Sequence, residues 1–202
     1  MPTAQDARVK PGHDESEEAV SSDIWIFGYG SLMWDPGFVF EEAQPALVHG
    51  WHRSFCVLSH VYRGTKEKPG LVLGLARGGA CRGRAFRVAA ARAEATLAYL
   101  HEREMVHYVY VFREVPAKLA DGRRVTAKTY VADTAHGQFA GRLPFDETVR
   151  MIAEGTGRSG TNVEYLENTI RHLDELGIRE GALHRLLEAV RRHASDSRHP
   201  RA

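Results

Sequence analysis

The stretch Ile24-Trp25-Ile26-Phe27-Gly28-Tyr29-Gly30-Ser31-Leu32 decides the fold, because the chain turns there from strand to loop. Four consecutive apolar residues predict a buried strand. The two glycines that follow allow a tight turn, whose backbone N–H groups can point into one concavity and hold an anion such as a carboxylate. An ordinary glycine-rich turn explains these residues equally well, so the rest of the chain has to decide between the two interpretations.

Strand patterns dominate the chain from Ile24 to Val131. Gly78-Gly79 separates two of the predicted strands and Asp121-Gly122 precedes another, and both pairs are typical of hairpin turns. Strands do not alternate regularly with helices, so we expect an α+β fold with a curled, largely antiparallel sheet or small barrel rather than a doubly wound parallel sheet. The predicted strands are Ile24–Phe27, Ala46–His49, Phe55–Leu58, Leu71–Ala76, Arg82–Val88, Tyr108–Val115 and Arg124–Val131.

Helices are predicted at Ala90–Met105 and in three pieces of the C-terminal third. Pro144 can open the first of these pieces, which ends near Gly155, and Thr161 can cap the second, which ends at Gly177. The third piece carries one apolar stripe, formed by Leu183, Leu186, Leu187 and Val190.

Length and composition favour one cytoplasmic domain over residues 23–192 of the 202-residue chain. Residues 1–22 are polar and charged, which predicts a disordered N-terminal arm, and residues 193–202 form a basic C-terminal tail. Lys and Arg (27) nearly balance Asp and Glu (26), which argues against a nucleic-acid partner, and no run is apolar enough for a membrane segment. We expect Cys56 and Cys81 to be reduced and buried, and the eleven histidines show no metal-binding spacing.

A carboxylate lies on the apolar face of the predicted helix at Ala90–Met105. Ala93, Leu97 and Leu100 define that face, and continuing the same spacing reaches Glu104. Burial disfavours the charged form of a carboxyl group, which makes it a proton acceptor suited to neutral pH. The alternative is a helix-end glutamate that has emerged into solvent or is paired with Arg103 or a lysine.

Other local motifs carry less chemistry. Residues 155–160 match G-x-G-x-x-G, but the match follows a helix instead of a strand, so we reject dinucleotide binding and expect a flexible loop. Arg53 and Arg63 could each bind a carboxylate bidentately, although surface arginines are more common. Ser31 lacks the G-x-S-x-G context of a nucleophile.

Five further motifs occur in a fixed order along the chain: F-G-Y-G-S-L-M-W at Phe27–Trp34, R-S-F at Arg53–Phe55, R-G followed by K-P-G at Arg63–Gly70, E-R-E-M at Glu102–Met105 and S-G-T-N-x-E-Y-L at Ser159–Leu166. In this order they resemble the ChaC family of glutathione-specific γ-glutamylcyclotransferases, and the resemblance covers residues 24–190.

The resemblance implies a small mixed, largely antiparallel β-barrel with packed helices, which cleaves glutathione to 5-oxoproline and cysteinylglycine without a cofactor or metal. It also implies that Glu104 is the catalytic general base. The implied substrate-binding residues are Ile26, Phe27, Gly28, Tyr29, Gly30, Ser31, Leu32, Arg53, Arg63 and Tyr165. The chain departs from the family pattern at Arg158, where proline is common, and at Val106-His107-Tyr108, which replaces a glycine-containing stretch.

Two alternatives remain open at the level of sequence. A sister cyclotransferase could use the same base and loop on other γ-glutamyl amines or γ-glutamyl amino acids, and a non-catalytic module could bind γ-glutamyl compounds without turning them over. Neither reading requires nucleic acid, a membrane or an obligate protein partner.

Overall fold

A closed barrel of five strands, in the order β1-β3-β2-β4-β5, forms the centre of the computed structural model, which describes residues 22–104 and 109–198. All strand pairs are antiparallel except β1 with β5, which close the barrel in parallel. The strands are β1 (Ile24–Gly28), β2 (Glu42–Ser59), β3 (Gly70–Val88), β4 (Tyr110–Leu119) and β5 (Arg124–Ala132). This architecture confirms the predicted α+β class and mixed, largely antiparallel barrel.

The two longest strands each cover two of the predicted ones. A hairpin turn was predicted at Gly78 and Gly79, but the structure has none there. The two glycines lie within β3, opposite the register shift between His49 and Trp51 of β2. Both have positive φ angles, of 101° and 68°, as does Gly50 at 81°. A glycine pair suits a bulge as well as a turn, and here it bends a continuous two-stranded ribbon. The Asp121-Gly122 turn, by contrast, joins β4 to β5 as predicted.

The predicted helices are confirmed, with α1 at Ala90–Glu104, α2 at Phe145–Glu154, α3 at Asn162–Glu175 and α4 at Gly181–Arg198. Pro144 is the N-cap of α2, and Thr161 caps α3. The loop expected at residues 155–160 instead contains a small hairpin of β6 (Thr156–Gly157) and β7 (Gly160–Thr161). Part of the predicted tail, residues 193–198, belongs to α4, whereas the predicted arm falls almost entirely outside the described residues.

Strand β1 is buried along its whole length, as its apolar run predicts. It pairs on both sides. One core cluster joins the barrel to α2, α3 and α4, and a second one lies between the barrel and α1. Phe27 belongs to the first cluster and Ile26 to the second. The chain therefore leaves β1 at a fixed point on the barrel rim, where the glycine-containing loop begins. None of the described helices is long and apolar enough to cross a membrane.

Candidate active site

The loop that follows β1 folds tightly back on itself. A Cβ atom on Gly28 would lie 3.1 Å from Cβ of Leu32 and 3.3 Å from N of Met33, so this approach leaves little room for a side chain. A short 3₁₀ turn at Ser31–Met33 follows. In the part of the chain that the structure describes, the N–H groups of Gly30, Ser31 and Leu32 donate no hydrogen bond to the protein. They are therefore available to an anion.

These loop residues line an inner pocket of about 70 Å³ at the barrel rim. The other walls come from α1, α3 and three barrel strands, so the pocket collects residues from most of the chain. Its lining consists of Tyr29, Gly30, Ser31, Leu32, Leu73, Glu104, Tyr110, Thr129, Tyr130 and Tyr165.

Glu104 is the last residue of α1, and its side chain is 20% exposed. The stripe that predicted its position holds, since Ala93 and Leu100 are fully buried on the same face. Burial raises the pKa of Glu104, and the neighbouring Arg103 guanidinium opposes that rise. The Nε atom of Arg103 lies 3.6 Å from Oε1 of Glu104, so the two sequence alternatives coexist: the carboxylate faces the pocket and also has an arginine beside it. Residues 105–108, including the family departure at 106–108, lie outside the described residues.

Four tyrosines line the same pocket. The Tyr110 hydroxyl donates to the Leu73 carbonyl (2.7 Å), and the Leu73 N–H donates to the Tyr165 hydroxyl (3.4 Å), so one residue of β3 orients both rings. Burial raises the pKa of Tyr130 and Tyr165 to about 12 and that of Tyr29 and Tyr110 further above its ordinary value. All four phenols are therefore protonated at neutral pH and can act as hydrogen-bond donors.

Arg103 joins α1, which carries Glu104, to the glycine-containing loop. Its Nη2 atom donates to Ser31 Oγ (3.1 Å), and its Nη1 atom donates to the Asp35 carbonyl (2.9 Å) and the Tyr99 hydroxyl (3.0 Å). A guanidinium with this many partners fixes the position of the loop relative to α1. Glu104 and the loop are thus both in contact with one arginine.

Arg53 lies behind the loop and lines neither the inner pocket nor the larger one described below. Its side chain is fully buried, where Nε donates to the Tyr29 carbonyl (2.5 Å) and Nη2 to the Arg82 carbonyl (2.7 Å). It also forms an ion pair with Glu180, which precedes α4. Arg53 therefore supports the loop from the barrel interior. Ile26 and Phe27, which were also expected to bind substrate, are buried core residues of β1 and line neither pocket.

A second, outer pocket of about 530 Å³ continues from the inner one. The two share Ser31, Glu104, Tyr110 and Tyr165, so the carboxylate stands at the boundary between them. Arg63 lines the outer pocket, with its guanidinium 5.3 Å from the centre of the Tyr165 ring. The structure thus brings together Glu104, the loop from Tyr29 to Leu32, Arg63 and Tyr165 of the residues expected from sequence.

Sequence reasoning did not identify Leu73, Thr129, Tyr110 and Tyr130 as site residues. The alternation of apolar residues in β4 and β5 predicts strands but does not indicate which positions meet α1 at the rim. The Tyr130 hydroxyl, for example, is 3.0 Å from Nδ1 of His101, a contact that depends on how α1 packs on the barrel.

Comparison with known proteins places these features in a family. A family model described as ChaC-like protein matches residues 24–193. The glutathione-specific γ-glutamylcyclotransferase of Escherichia coli (strain K12) is 36% identical over 169 residues, which make up 84% of this chain and 73% of that protein. Glutathione-specific γ-glutamylcyclotransferase 1 of Danio rerio is 35% identical over 152 residues, covering 73% of this chain and 78% of that one. A crystal structure of a γ-glutamylcyclotransferase specific to glutathione from yeast aligns with a TM-score of 0.76 at 25% identity, covering 85% of this chain and 97% of that chain.

Proposed function

This chain belongs to the ChaC-like protein family, and on that premise we propose that it is a glutathione-specific γ-glutamylcyclotransferase. Such an enzyme is a lyase that cleaves glutathione to 5-oxoproline and cysteinylglycine. One observation carries the proposal for this chain: a largely buried carboxylate, Glu104, lines the same small pocket as the Gly30–Leu32 loop, whose N–H groups have no partner among the described residues. The pocket thus offers a proton acceptor and an anion cradle to the same small molecule.

In the proposed reaction the substrate attacks itself. The α-amine of the γ-glutamyl group forms a bond to its own γ-carbonyl carbon, which closes a five-membered ring, and the bond to the cysteinyl nitrogen then breaks. An α-amine with a pKa of roughly 8 is mostly protonated at neutral pH, so a base must take its proton before or during attack. Glu104 takes that proton and returns it to the leaving amine. The reaction requires no enzyme nucleophile, cofactor or metal.

The loop supplies orientation. The γ-glutamyl group is a flexible chain, and its α-carboxylate can accept hydrogen bonds from the N–H groups of Gly30, Ser31 and Leu32. Fixing that end brings the amine close to the γ-carbonyl, and such orientation can contribute several kcal/mol to catalysis. In this scheme Ser31 binds substrate and does not act as a nucleophile.

The phenols supply donors for the negative charge that develops on the γ-carbonyl oxygen. Their raised pKa values keep them protonated, and a donor in a water-poor site stabilises an oxyanion more than it would in water. Tyr110 already donates to Leu73 and the Tyr130 hydroxyl contacts His101, which leaves Tyr29 and Tyr165 as the candidates for this role.

The experiment that tests the proposal is release of 5-oxoproline from glutathione by Glu104→Gln. We expect turnover to fall by about 10²-fold or more, the scale of losing a general base, while the far-ultraviolet circular dichroism stays unchanged. Glu102→Gln is the matched control, because it removes an exposed carboxylate from the same helix and should retain activity. A folded Glu104→Gln protein with wild-type turnover would refute the role of Glu104, and a wild-type protein that forms no 5-oxoproline would refute the reaction itself.

A further inference from the structure

The outer pocket has the position and size to receive the half of glutathione that leaves. With the γ-glutamyl head on the loop, the scissile bond lies near Glu104, and the remaining dipeptide has to extend through the shared boundary into the outer pocket. That pocket has about 530 Å³, against about 70 Å³ for the inner one. Its wall includes Val57, Val61 and Val72, which suit an uncharged cysteinyl side chain.

The far end of that dipeptide is a carboxylate, so the charges lining the outer pocket decide where it binds. Among the described lining residues, Glu104 is the one carboxylate, and Arg63 and Arg103 are the two arginines. Arg103 is engaged at all three nitrogens, because Nη1 donates to the Asp35 carbonyl, Nη2 donates to Ser31 Oγ and Nε lies 3.6 Å from Glu104 Oε1. Because each guanidinium nitrogen of Arg103 already contacts a protein group, Arg103 is not available to bind the substrate carboxylate.

Arg63 is engaged along one side only. Its Nη1 atom donates to the Ser159 carbonyl (2.5 Å) and the Thr161 carbonyl (3.2 Å), and its guanidinium lies over the ring of Tyr165. The described residues place no hydrogen-bond acceptor on Nε or Nη2. A guanidinium fixed by two carbonyls and a ring face, with two donors unused, is preorganised for a planar carboxylate.

We propose that Arg63 binds the terminal carboxylate of the cysteinylglycine half of glutathione, which makes the outer pocket the binding site for the leaving dipeptide. This inference rests on the proposed function, because it takes its substrate from there. It also accounts for selection among γ-glutamyl compounds. In a γ-glutamyl amino acid the carboxylate lies one residue closer to the scissile bond, so it falls about 3.5 Å short of Arg63.

The test compares Arg63→Gln with wild type on two ligands, glutathione and its C-terminal amide, which lacks only the carboxylate. We expect the variant to raise KM for glutathione about 10- to 100-fold, the scale of a lost charged hydrogen-bond pair, with kcat little changed. The amide should already bind wild type weakly, and the variant should weaken it little further. Arg158→Gln is the matched control, because it removes an exposed arginine from the adjacent hairpin. Equal losses on both ligands would show that Arg63 is merely structural and would overturn the proposal.

A binding measurement separates this proposal from the reaction. In a Glu104→Gln background, calorimetric titration should show that glutathione binds about 10- to 100-fold more weakly once Arg63 is also replaced, whereas affinity for the amide stays the same. This result would support Arg63 even if wild type forms no 5-oxoproline. Affinity for glutathione that is undetectable or independent of Arg63 would overturn the assignment, whatever the outcome of the activity assay.

Discussion

At Glu104, the stability of the fold and the proposed catalytic role favour different protonation states of the carboxyl group. Burial at the end of α1 raises its pKa, and the C-terminal end of a helix is also an unfavourable place for a negative charge. The proposed mechanism nevertheless needs the ionised form, and Arg103 beside it limits how far the pKa can rise. Folding and catalysis therefore place different requirements on the same carboxyl group.

This conflict predicts a pH-dependent difference in stability. Because the folded pKa of Glu104 lies above the unfolded value, the folded state binds more protons between the two values, and its stability falls as pH rises through that window. Above the window the ionised, buried carboxylate destabilises the fold. We therefore expect Glu104→Gln to be more stable than wild type at neutral pH, and the difference to shrink as pH falls below the unfolded pKa.

Urea denaturation at pH 7.5 and pH 4 measures this difference, with Glu102→Gln as the exposed control. A Glu104→Gln protein that is less stable than wild type at pH 7.5 would show that Arg103 stabilises the carboxylate more than burial destabilises it. Under the proposed mechanism, the same raised pKa should shift the acid limb of the activity profile to higher pH than an unperturbed glutamate would give.

At the scale of elements, close backbone packing brings Arg63 to the outer pocket. A Cβ atom on Gly70 would lie 2.1 Å from the Arg63 carbonyl oxygen, and one on Gly157 would lie 2.6 Å from the Gly64 amide nitrogen. The glycines of the R-G…K-P-G motif and of the β6–β7 hairpin are therefore needed because segments touch there. The G-x-G-x-x-G pattern lies in this hairpin and not in a βαβ unit. The hairpin also leads directly into α3, which carries Tyr165.

The capping box of α3 predicts a measurable contribution to stability. Thr161 Oγ1 accepts from the Glu164 N–H (3.1 Å), and Glu164 Oε2 accepts from the Thr161 N–H (3.0 Å). Thr161→Ala removes one of these two bonds and should lower the free energy of unfolding by about 1 kcal/mol, measured by urea denaturation. The exposed Thr156→Ala is the control and should change stability by less than about 0.5 kcal/mol. Equal effects of the two substitutions would contradict a capping role.

At the scale of the whole molecule, barrel closure assembles the site. The loop after β1, the end of α1, Leu73 of β3, the tyrosines of β4 and β5, and α3 converge because β1 pairs with both β3 and β5. Arg53 adds a long-range support by linking the loop to the barrel and to Glu180 before α4. Opening the barrel would therefore disperse the site as well as the core.

The two cysteines report on such opening. Cys56 and Cys81 are free and buried, as expected from sequence, and burial raises the pKa of each thiol to about 11. Ellman's reagent requires an accessible thiolate, so at pH 8 we expect very slow reaction in the native protein and two thiols per chain in guanidinium chloride. Rapid reaction of either thiol in native buffer would show local opening of the barrel without global unfolding.

Local patterns were enough to predict much of this molecule. The apolar run Ile24–Phe27, the caps Pro144 and Thr161, and the stripe leading to Glu104 each depend on residues within a turn or two of one another, so periodicity and capping chemistry reveal them. The five motifs, in their order along the chain, additionally indicated the family. The prediction of a hairpin turn at Gly78-Gly79 was wrong, because turns and bulges use the same residues. Only pairing with the neighbouring strand distinguishes a turn from a bulge.

By itself, the sequence determined the family, most of the elements and the position of Glu104 on the core-facing stripe, together with the Gly28–Leu32 loop as a candidate anion cradle. Only the tertiary structure decided that four tyrosines line one pocket with the carboxylate and that Arg53 supports the loop from behind. It also decided that Nε and Nη2 of Arg63 have no acceptor among the described residues. These contacts join residues far apart in the chain, and they depend on strand register and on how α1 and α3 pack against the barrel rim. The loop is a candidate cradle because its N–H groups have no partner among the described residues, and closure of the barrel adds the Glu104 carboxylate to the same pocket.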